Sequence, residues 1–226
     1  MLSQVLFSFV LTIFSMIFPI SIQYCLDRSR FEKLNYNIPP QPTSSNSLII
    51  INYFITLLTT WFVVSNVEIS WTLSYLDIFR IVLAPLIIDF FNFVYHYASH
   101  QGKLFRYLHY HHHLIKNPSS FRDSTFNGTI DWGLSMLAYL SPFAFLQMTP
   151  VVLVAYLILT VQIQINHGGY KTPKIPGFIS AAEHWAHHQK LKYNFCEITT
   201  VFDRLFGTYM PEEEVLRVCD RGLSNK

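Results

Sequence analysis

The residues with the clearest chemical potential are ten histidines, all of which lie between positions 96 and 188 of the 226-residue chain. They form the patterns His96-x3-His100, His109-x2-His112-His113 and His184-x2-His187-His188, with His167 alone and His111 inside the second pattern. Residues three or four apart on a helix share a face, so each pattern aims two or three imidazoles in one direction. Imidazole is a ligand for iron, zinc, copper and nickel. Leaving out His111 gives nine expected ligands, too many for one ion and enough for two. They are His96, His100, His109, His112, His113, His167, His184, His187 and His188.

Four further residues are candidates for supporting the ligands. His111 is expected to face solvent or to support a ligand, because the neighbouring histidines already occupy the metal-facing positions. Asp89 lies seven residues, nearly two helical turns, before the first histidine and on the same face. A carboxylate in an apolar helix is costly, and it could accept the free N–H of a metal-bound imidazole; a helix-packing role is the alternative. Asn166 and Asn194 are weaker candidates for the same support.

Long tracts without charge indicate that a membrane protein carries these histidines. Only 13% of the residues are charged, against roughly 25% in a soluble domain. Residues 1–26, 34–67 and 132–170 contain no Asp, Glu, Lys or Arg. A bilayer-spanning helix needs roughly 20 mainly apolar residues, so each tract can hold at least one. Spans are expected at about 2–24, 48–65 and 78–95.

The apolar segment from Gly133 to Ile165 is too long for one crossing. As a single helix its 33 residues would extend about 50 Å, against about 30 Å of hydrocarbon. We therefore expect two short legs that turn near residues 147–150. The turn also returns the chain to one face, so that His167 and His184 can share a site with His96.

The charges predict an orientation and exclude some functions. With this topology 15 of the 16 Lys and Arg residues lie on the histidine side, and positive residues favour the cytoplasmic side. The net charge of +2 without a basic run excludes nucleic acid as a partner. The N-terminal tract is interpreted as a retained span rather than a cleaved signal. Cys25, Cys196 and Cys219 are expected to be unpaired thiols.

Several stretches together resemble the fatty acid hydroxylase/sterol desaturase superfamily. They are residues 89–100, 108–113, 166–170 and 184–188, continued by Asn194-Phe195 and by residues 202–209. Tyr97, Cys196 and Phe202 stand where that family commonly has Arg, Gly and Trp. The resemblance divides a single membrane domain into N-terminal spans and linker (1–77), a catalytic region (78–209) and a tail (210–226). It implies an all-α bundle of four to five transmembrane or re-entrant helices with a cytosolic histidine-rich cap in the endoplasmic reticulum.

The same resemblance implies a chemistry. The cofactors would be two non-haem iron ions with O2 as co-substrate, and NAD(P)H would supply electrons through a b-type cytochrome and its reductase. The reaction would be hydroxylation or desaturation of a lipid C–H bond, with no catalytic residue beyond the metal centre. The short spacing from His188 to Asn194 looks like that of sterol-modifying members, which favours a sterol desaturase or sterol hydroxylase. The alternatives are a fatty-acyl or sphingolipid hydroxylase and a catalytically silent metal-binding membrane protein. Asp203 and Arg204 are expected to hold the cap together rather than to touch substrate.

Overall fold

The computed structural model describes residues 2–28, 32–34, 41–215 and 217. Its helices are α1 (Leu2–Arg28), α2 (Asn46–Ser65), α3 (Asp77–Ser99), α4 (Gly102–Leu104), α5 (Phe121–Ser124), α6 (Thr129–Tyr139), α7 (Ser141–Phe145), α8 (Pro150–His167), α9 (Ala181–Lys190) and α10 (Val201–Leu205). A π-helical turn (Phe105–His109) and a 3-10 turn (His112–Leu114) lie between α4 and α5. Within the described ranges the only β structure is three isolated bridges, so the all-α prediction is confirmed. Residues 35–40 of the predicted linker and ten of the 17 residues of the predicted tail, Cys219 among them, lie outside the described residues.

Three of the described helices, α2, α3 and α8, are long and apolar enough to cross a membrane. They have 20, 23 and 18 residues, and α1 runs for 27 residues alongside α2 and α8. Large apolar side chains point outward from these helices: Ile50 is 68% exposed, Ile78 70% and Ile158 61%. An outer surface of this kind is stable against hydrocarbon and unfavourable against water. The fold is therefore that of a membrane protein.

Polar contacts show how the helices run relative to one another. At one end of the bundle Thr149, which caps the start of α8, donates its hydroxyl to Asp77 at the start of α3 (2.9 Å). α3 and α8 are therefore parallel, and both end in histidines, His96 and His167. At the histidine end the Asn52 amide near the start of α2 donates to the carbonyls of residues 125 and 127. α2 consequently runs in the opposite direction.

The expected turn between two legs is confirmed, and the two legs differ in length. α6 and α7 form the first leg with 11 and 5 residues, whereas α8 has 18 residues and extends about 27 Å. Pro142, which has no N–H, follows the break between α6 and α7. Thr149 caps α8 by accepting from the Val152 N–H, and Pro150 occupies its first turn. Only the second leg has the length of a bilayer span.

The apolar core at the end away from the histidines fixes the bundle. Val64, Leu140, Phe143, Met148 and Val152 form one buried cluster there. At the histidine end the interior becomes polar, and helix contacts depend on hydrogen bonds, such as that from Trp132 Nε1 to the Thr56 hydroxyl (2.9 Å). The apolar end thus anchors the helices that carry the polar site.

Candidate metal centre

Four structural segments bring the histidines to one place. α3 supplies His96, and His100 caps its C-terminus. The next segment begins with the π-helical turn, in which the Tyr110 N–H donates to the Phe105 carbonyl (2.7 Å), and continues into the 3-10 turn. α8 ends at its histidine, and α9 starts at a capping box formed by Ser180 and Glu183. Helix ends and caps therefore set the positions of the imidazoles.

The nine predicted ligands lie in two groups, within each of which one ligand atom per residue is no more than 4.8 Å from the others. The first group consists of His96, His100, His109, His113 and His187. The second group consists of His112, His167, His184 and His188. His111 belongs to neither group: it is exposed, and its ring packs on Phe126 at 4.3 Å between centroids. The structure thus gathers the predicted nine and leaves out the histidine that the spacing had set apart.

The expectation that each histidine pattern aims in one direction holds for His96 and His100 and is wrong for the other two patterns. In the pattern at 109–113 the outer two imidazoles join the first group, and His112 joins the second. In the pattern at 184–188 the outer two join the second group, and His187 joins the first. In the first pattern His112 and His113 are consecutive residues of one 3-10 turn, so their side chains point about 120° apart. In the second pattern, His184 and His188 are four residues apart on an α-helix and point in similar directions, whereas His187 diverges from both.

Hydrogen bonds fix the imidazoles with their Nε2 atoms toward the group interiors. Nδ1 lies near a backbone carbonyl oxygen in four of them: His96 at 2.8 Å from Phe195, His167 at 3.0 Å from Ile163, His187 at 2.8 Å from Tyr193 and His188 at 2.7 Å from Ile115. A carbonyl oxygen only accepts, so Nδ1 carries the proton and Nε2 has a free lone pair. The Nε2 atoms of His167 and His184 then approach to 3.0 Å.

Several buried ring nitrogens lack a partner among the described residues, including Nε2 of His96 and of His109. Converging lone pairs and buried nitrogens without partners are unfavourable in a protein interior. A cation between the nitrogens would satisfy them, so the donor set fits a metal in each group. A group of four or five imidazoles suits a transition metal rather than Mg²⁺ or Ca²⁺.

Burial keeps these imidazoles in the form that binds metal. Burial lowers the pKa of five histidines of the cap well below the ordinary 6.5, and repulsion from neighbouring imidazoles lowers it further. These five cap histidines are His112, His113, His184, His187 and His188. Burial lowers the pKa of His100 to about 3. Neutral imidazole is the ligand form.

Two carboxylates beside the groups were not predicted. Asp131, in the first turn of α6, accepts from Nδ1 of His109 (3.0 Å) and from the Tyr95 hydroxyl. Glu197 Oε2 lies 3.5 Å from Nδ1 of His184, and burial raises the pKa of its carboxyl well above the usual range. Asp131 could have been predicted as a functional residue, because it directly precedes the charge-free tract at 132–170. No feature of the sequence indicates a role for Glu197.

The three polar candidates from the sequence do not contact imidazoles. The Asp89 carboxylate accepts from the backbone N–H groups of Glu197 (3.3 Å), Ile198 (3.0 Å) and Thr199. Asn166 donates to the Glu197 carbonyl (2.8 Å), and Asn194 donates to the carbonyls of residues 183 and 210. A direct role of Asp89 toward a ligand histidine is therefore wrong, since His96 Nδ1 already has the Phe195 carbonyl. These residues hold the loops that surround the groups.

Asp203 has the holding role that was expected of it. Its carboxylate accepts from the N–H groups of Phe195 and Cys196, both at 2.8 Å, and from the Thr208 hydroxyl. Because the Phe195 carbonyl accepts from His96, Asp203 fixes the acceptor that orients this imidazole. The guanidinium of Arg204 packs over the Tyr209 ring at 4.0 Å. Cys25 and Cys196 are free thiols, as expected.

A cavity inside the bundle opens onto both groups. His96 and His109 of the first group and His112 and His167 of the second line it. Its other walls combine aromatic side chains, among them Trp132, Tyr139 and Tyr156, with hydroxyl and amide groups of α2, α3 and α8. A molecule in this cavity would be within reach of both groups at once.

An apolar helical bundle with two converging histidine groups at one end defines the class of the protein: a membrane protein whose histidine-rich centre could hold metal. The model of the family described as fatty acid hydroxylase matches residues 81–208. The chain therefore belongs to the fatty acid hydroxylase family. The match contains all ten histidines.

Three relatives illustrate where the chain lies in this family. It is 33% identical to a Delta(7)-sterol 5(6)-desaturase of Aspergillus fumigatus over 150 residues, 62% of this chain and 41% of the relative. It is 30% identical to lathosterol oxidase of Homo sapiens over 140 residues, 58% of this chain and 46% of the relative. A Delta(7)-sterol 5(6)-desaturase of Eremothecium gossypii is 28% identical over 206 residues, 82% of this chain and 57% of the relative. The aligned part thus spans about two to three fifths of these relatives. No solved structure matches the chain.

Proposed function

We propose that the chain is a non-haem diiron sterol desaturase, which uses O2, two electrons and two protons to convert a CH–CH unit of a sterol into a double bond and forms two molecules of water. The observation that carries the proposal is the pair of adjacent histidine groups at the head of one cavity. The names of the sterol-oxidising relatives support the substrate class. Residues 78–209 are proposed as the catalytic region.

The proposed ligands are the nine histidines of the two groups. Bound iron would supply the activation of O2 and the removal of hydrogen from an unactivated C–H bond. The chain's own contribution is to hold each Nε2 in place through the acceptor behind Nδ1, as with His187 and the Tyr193 carbonyl. No described side chain is required as nucleophile or general base.

The cavity is proposed to hold the lipid. Its aromatic side chains give a sterol an apolar surface, and the buried Trp132 and Tyr156 help to exclude water from the reacting carbon. Because the cavity touches both groups, one carbon can face both proposed ions. The hydroxyl and amide groups on the remaining wall offer partners for a sterol hydroxyl.

The electron donor is proposed to dock on the histidine end of the chain. Lys103, Arg106, Lys116, Lys190 and Lys192 are exposed there, and their charge suits an acidic partner such as a b-type cytochrome reduced from NAD(P)H by its reductase. The concentration of basic residues at this end supports a cytosolic orientation. The endoplasmic reticulum is the proposed location.

The second candidate is a fatty-acyl or sphingolipid hydroxylase, which the description of the matched family favours. Hydroxylation and desaturation begin with the same hydrogen removal and differ in the step that follows. The geometry of the histidines is the same for both reactions, so the product must distinguish them.

The test compares lipids in a fungal host that lacks its own Delta(7)-sterol 5(6)-desaturase. The wild type is expressed beside the double variant His187→Ala, His188→Ala, which removes one imidazole from each group. The matched control is His111→Ala, because this histidine is exposed and outside both groups. Sterols and acyl lipids are profiled by mass spectrometry, and expression is checked by immunoblot.

The wild type and His111→Ala are expected to form the 5(6)-unsaturated sterol, and the double variant is expected to form none. A hydroxylated acyl lipid in place of the sterol product would favour the second candidate. Equal sterol product from all three proteins would refute a histidine-bound catalytic centre. Metal bound to the wild type without any new lipid, even with a reductase and cytochrome supplied, would favour a catalytically silent membrane protein.

A further inference from the structure

We infer that Glu197 is a positioning residue for the second group: its carboxylate accepts the Nδ1–H of His184 and so fixes that imidazole toward the metal. The inference rests on the proposed metal centre and adds to it a residue beyond the histidines. The two atoms concerned, Glu197 Oε2 and His184 Nδ1, are 3.5 Å apart. Both residues are buried, with exposures of 4% and 0%.

Both atoms of the pair need a partner. Neither Glu197 Oε2 nor His184 Nδ1 has a hydrogen bond within the described part of the chain. The other ring nitrogen, His184 Nε2, lies 3.0 Å from Nε2 of His167 and 3.1 Å from Nε2 of His188. A metal in the group occupies the Nε2 lone pair, which leaves the proton on Nδ1. The facing carboxylate oxygen is then its acceptor, reached by a shift of about half an ångström.

The loop that carries Glu197 is held from two membrane helices. The Glu197 N–H donates to Asp89 of α3 (3.3 Å), and the Glu197 carbonyl accepts from Asn166 of α8 (2.8 Å). Asn166 is also the residue before His167, a member of the same group. The two polar side chains therefore fix Glu197 relative to the imidazoles. Polar side chains inside apolar helices are costly, and these two serve to hold the loop that carries Glu197.

The first group contains a matching arrangement. His109 has Asp131 behind its Nδ1 at 3.0 Å, and carboxylates behind metal-bound imidazoles fix ring orientation and raise ligand basicity. With Glu197 behind His184, each group has one carboxylate and its other Nδ1 acceptors are carbonyl oxygens. The two groups would thus be supported alike, with one acidic side chain behind an imidazole of each.

Glu197 also borders the cavity, so contact with the substrate is the competing role. The two roles differ in what they alter. A positioning residue changes the affinity for metal in the absence of any lipid, whereas a substrate contact changes KM and leaves metal affinity as it is. Metal binding is therefore measured first, on the purified full-length chain without lipid substrate.

The experiment titrates the metal-free wild type, Glu197→Ala and Glu197→Gln with Fe²⁺ under anaerobic conditions against a chromophoric chelator, and counts iron per chain by mass spectrometry. We expect two ions in the wild type and about a 10- to 100-fold weaker affinity for one of them in Glu197→Ala. Glu197→Gln is expected to lie closer to the wild type, because its amide oxygen can still accept from Nδ1.

The matched control is Asp123→Asn. Asp123 is also buried and accepts from the N–H groups of Ser119 and Ser120 without contacting an imidazole. It is expected to lower the thermal stability of the metal-free chain and to keep wild-type metal affinity. Glu197→Ala is expected to weaken metal binding and to leave the melting temperature of the metal-free chain close to that of the wild type.

Each other outcome overturns the inference in a recognisable way. If the wild type binds no iron, the result refutes the metal centre itself and the proposed function with it. Two ions at unchanged affinity in Glu197→Ala leave the proposed function intact and refute the role of Glu197. A fall in metal affinity that follows an equal fall in metal-free stability indicates a purely structural residue. A raised KM for the sterol at unchanged metal affinity assigns Glu197 to the substrate.

Discussion

Asp89 provides the sharpest test of how the site is held, because it is a single carboxylate with three buried backbone donors. One oxygen accepts from the N–H groups of Glu197 and Ile198, and the other accepts from that of Thr199. A buried donor left without an acceptor costs about 1–3 kcal/mol. Asp89→Ala leaves three such donors and is expected to cost roughly 3–9 kcal/mol, comparable to the 5–15 kcal/mol that stabilises a typical fold.

Asp89→Asn is the more informative variant. Its remaining oxygen can keep the bonds to Glu197 and Ile198, while the new NH2 group faces the Thr199 N–H. We expect a loss of about 2–3 kcal/mol, which lowers the melting temperature of a chain of this size by about 4–12 °C. The loss is local, so the amides of residues 197–199 are expected to exchange hydrogen faster than the rest of the cap.

The assay combines tryptophan-fluorescence melting in detergent with hydrogen exchange read by mass spectrometry. Glu68→Gln is the control, because Glu68 is exposed and lies at the opposite end of the bundle; it is expected to change neither measurement. If Asp89→Asn melts like the wild type and the peptide containing residues 197–199 exchanges at the wild-type rate, the carboxylate does not hold this loop, and the account of its role is refuted.

Two further predictions concern backbone conformation and pH. Gly169→Ala is expected to destabilise the chain by several kcal/mol, about 1–3 of them from strain, because Gly169 has φ +68° and an added Cβ would lie 2.8 Å from the Pro118 carbonyl oxygen. Gly177→Ala has a similar φ of +84° but open space around the Cβ, so thermal melting should show the smaller loss; equal losses would contradict the steric explanation. Acidification from pH 8 to 5.5 is expected to destabilise the metal-free chain, because the pKa of each buried cap histidine is lowered in the fold from 6.5. The unfolded chain then binds protons that the folded chain does not, so stability is full above pH 6.5 and falls below it by about 1.4 kcal/mol per imidazole at pH 5.5. Denaturation measured across this range should show that slope, and a flat profile would disprove neutral burial of the imidazoles.

The parts of the structure that follow local rules were predictable from the sequence. Long charge-free tracts predicted α1, α2 and α8, and the excess length of the segment from Gly133 to Ile165 predicted the turn that returns His167 to the face of His96. The spacing of the histidines identified which imidazoles converge. It also set His111 apart, as the structure does.

The parts that depend on distant partners were not predictable. Asp89 shares a helical face with His96, but its N–H donors lie 108–110 residues further along the chain. The 3-10 turn that holds His112 and His113, and the π-helical turn before it, have no signature in the sequence. Asp131 and Glu197 support imidazoles 22 and 13 residues away through a fold that brings loop and helix ends together. Tertiary contacts decided each of these cases.

The division of two histidine patterns between the two groups has a consequence for how the protein matures. The first group needs residues from α3, from the turns after α4 and from α9, and the second needs residues from those turns, α8 and α9. Because α9 and the turns serve both groups, neither group has all of its histidines until α9 has docked on the turns. α9 is also the last of these segments in the chain, so a fully coordinated ion in either group would require the whole histidine-bearing region to be in place.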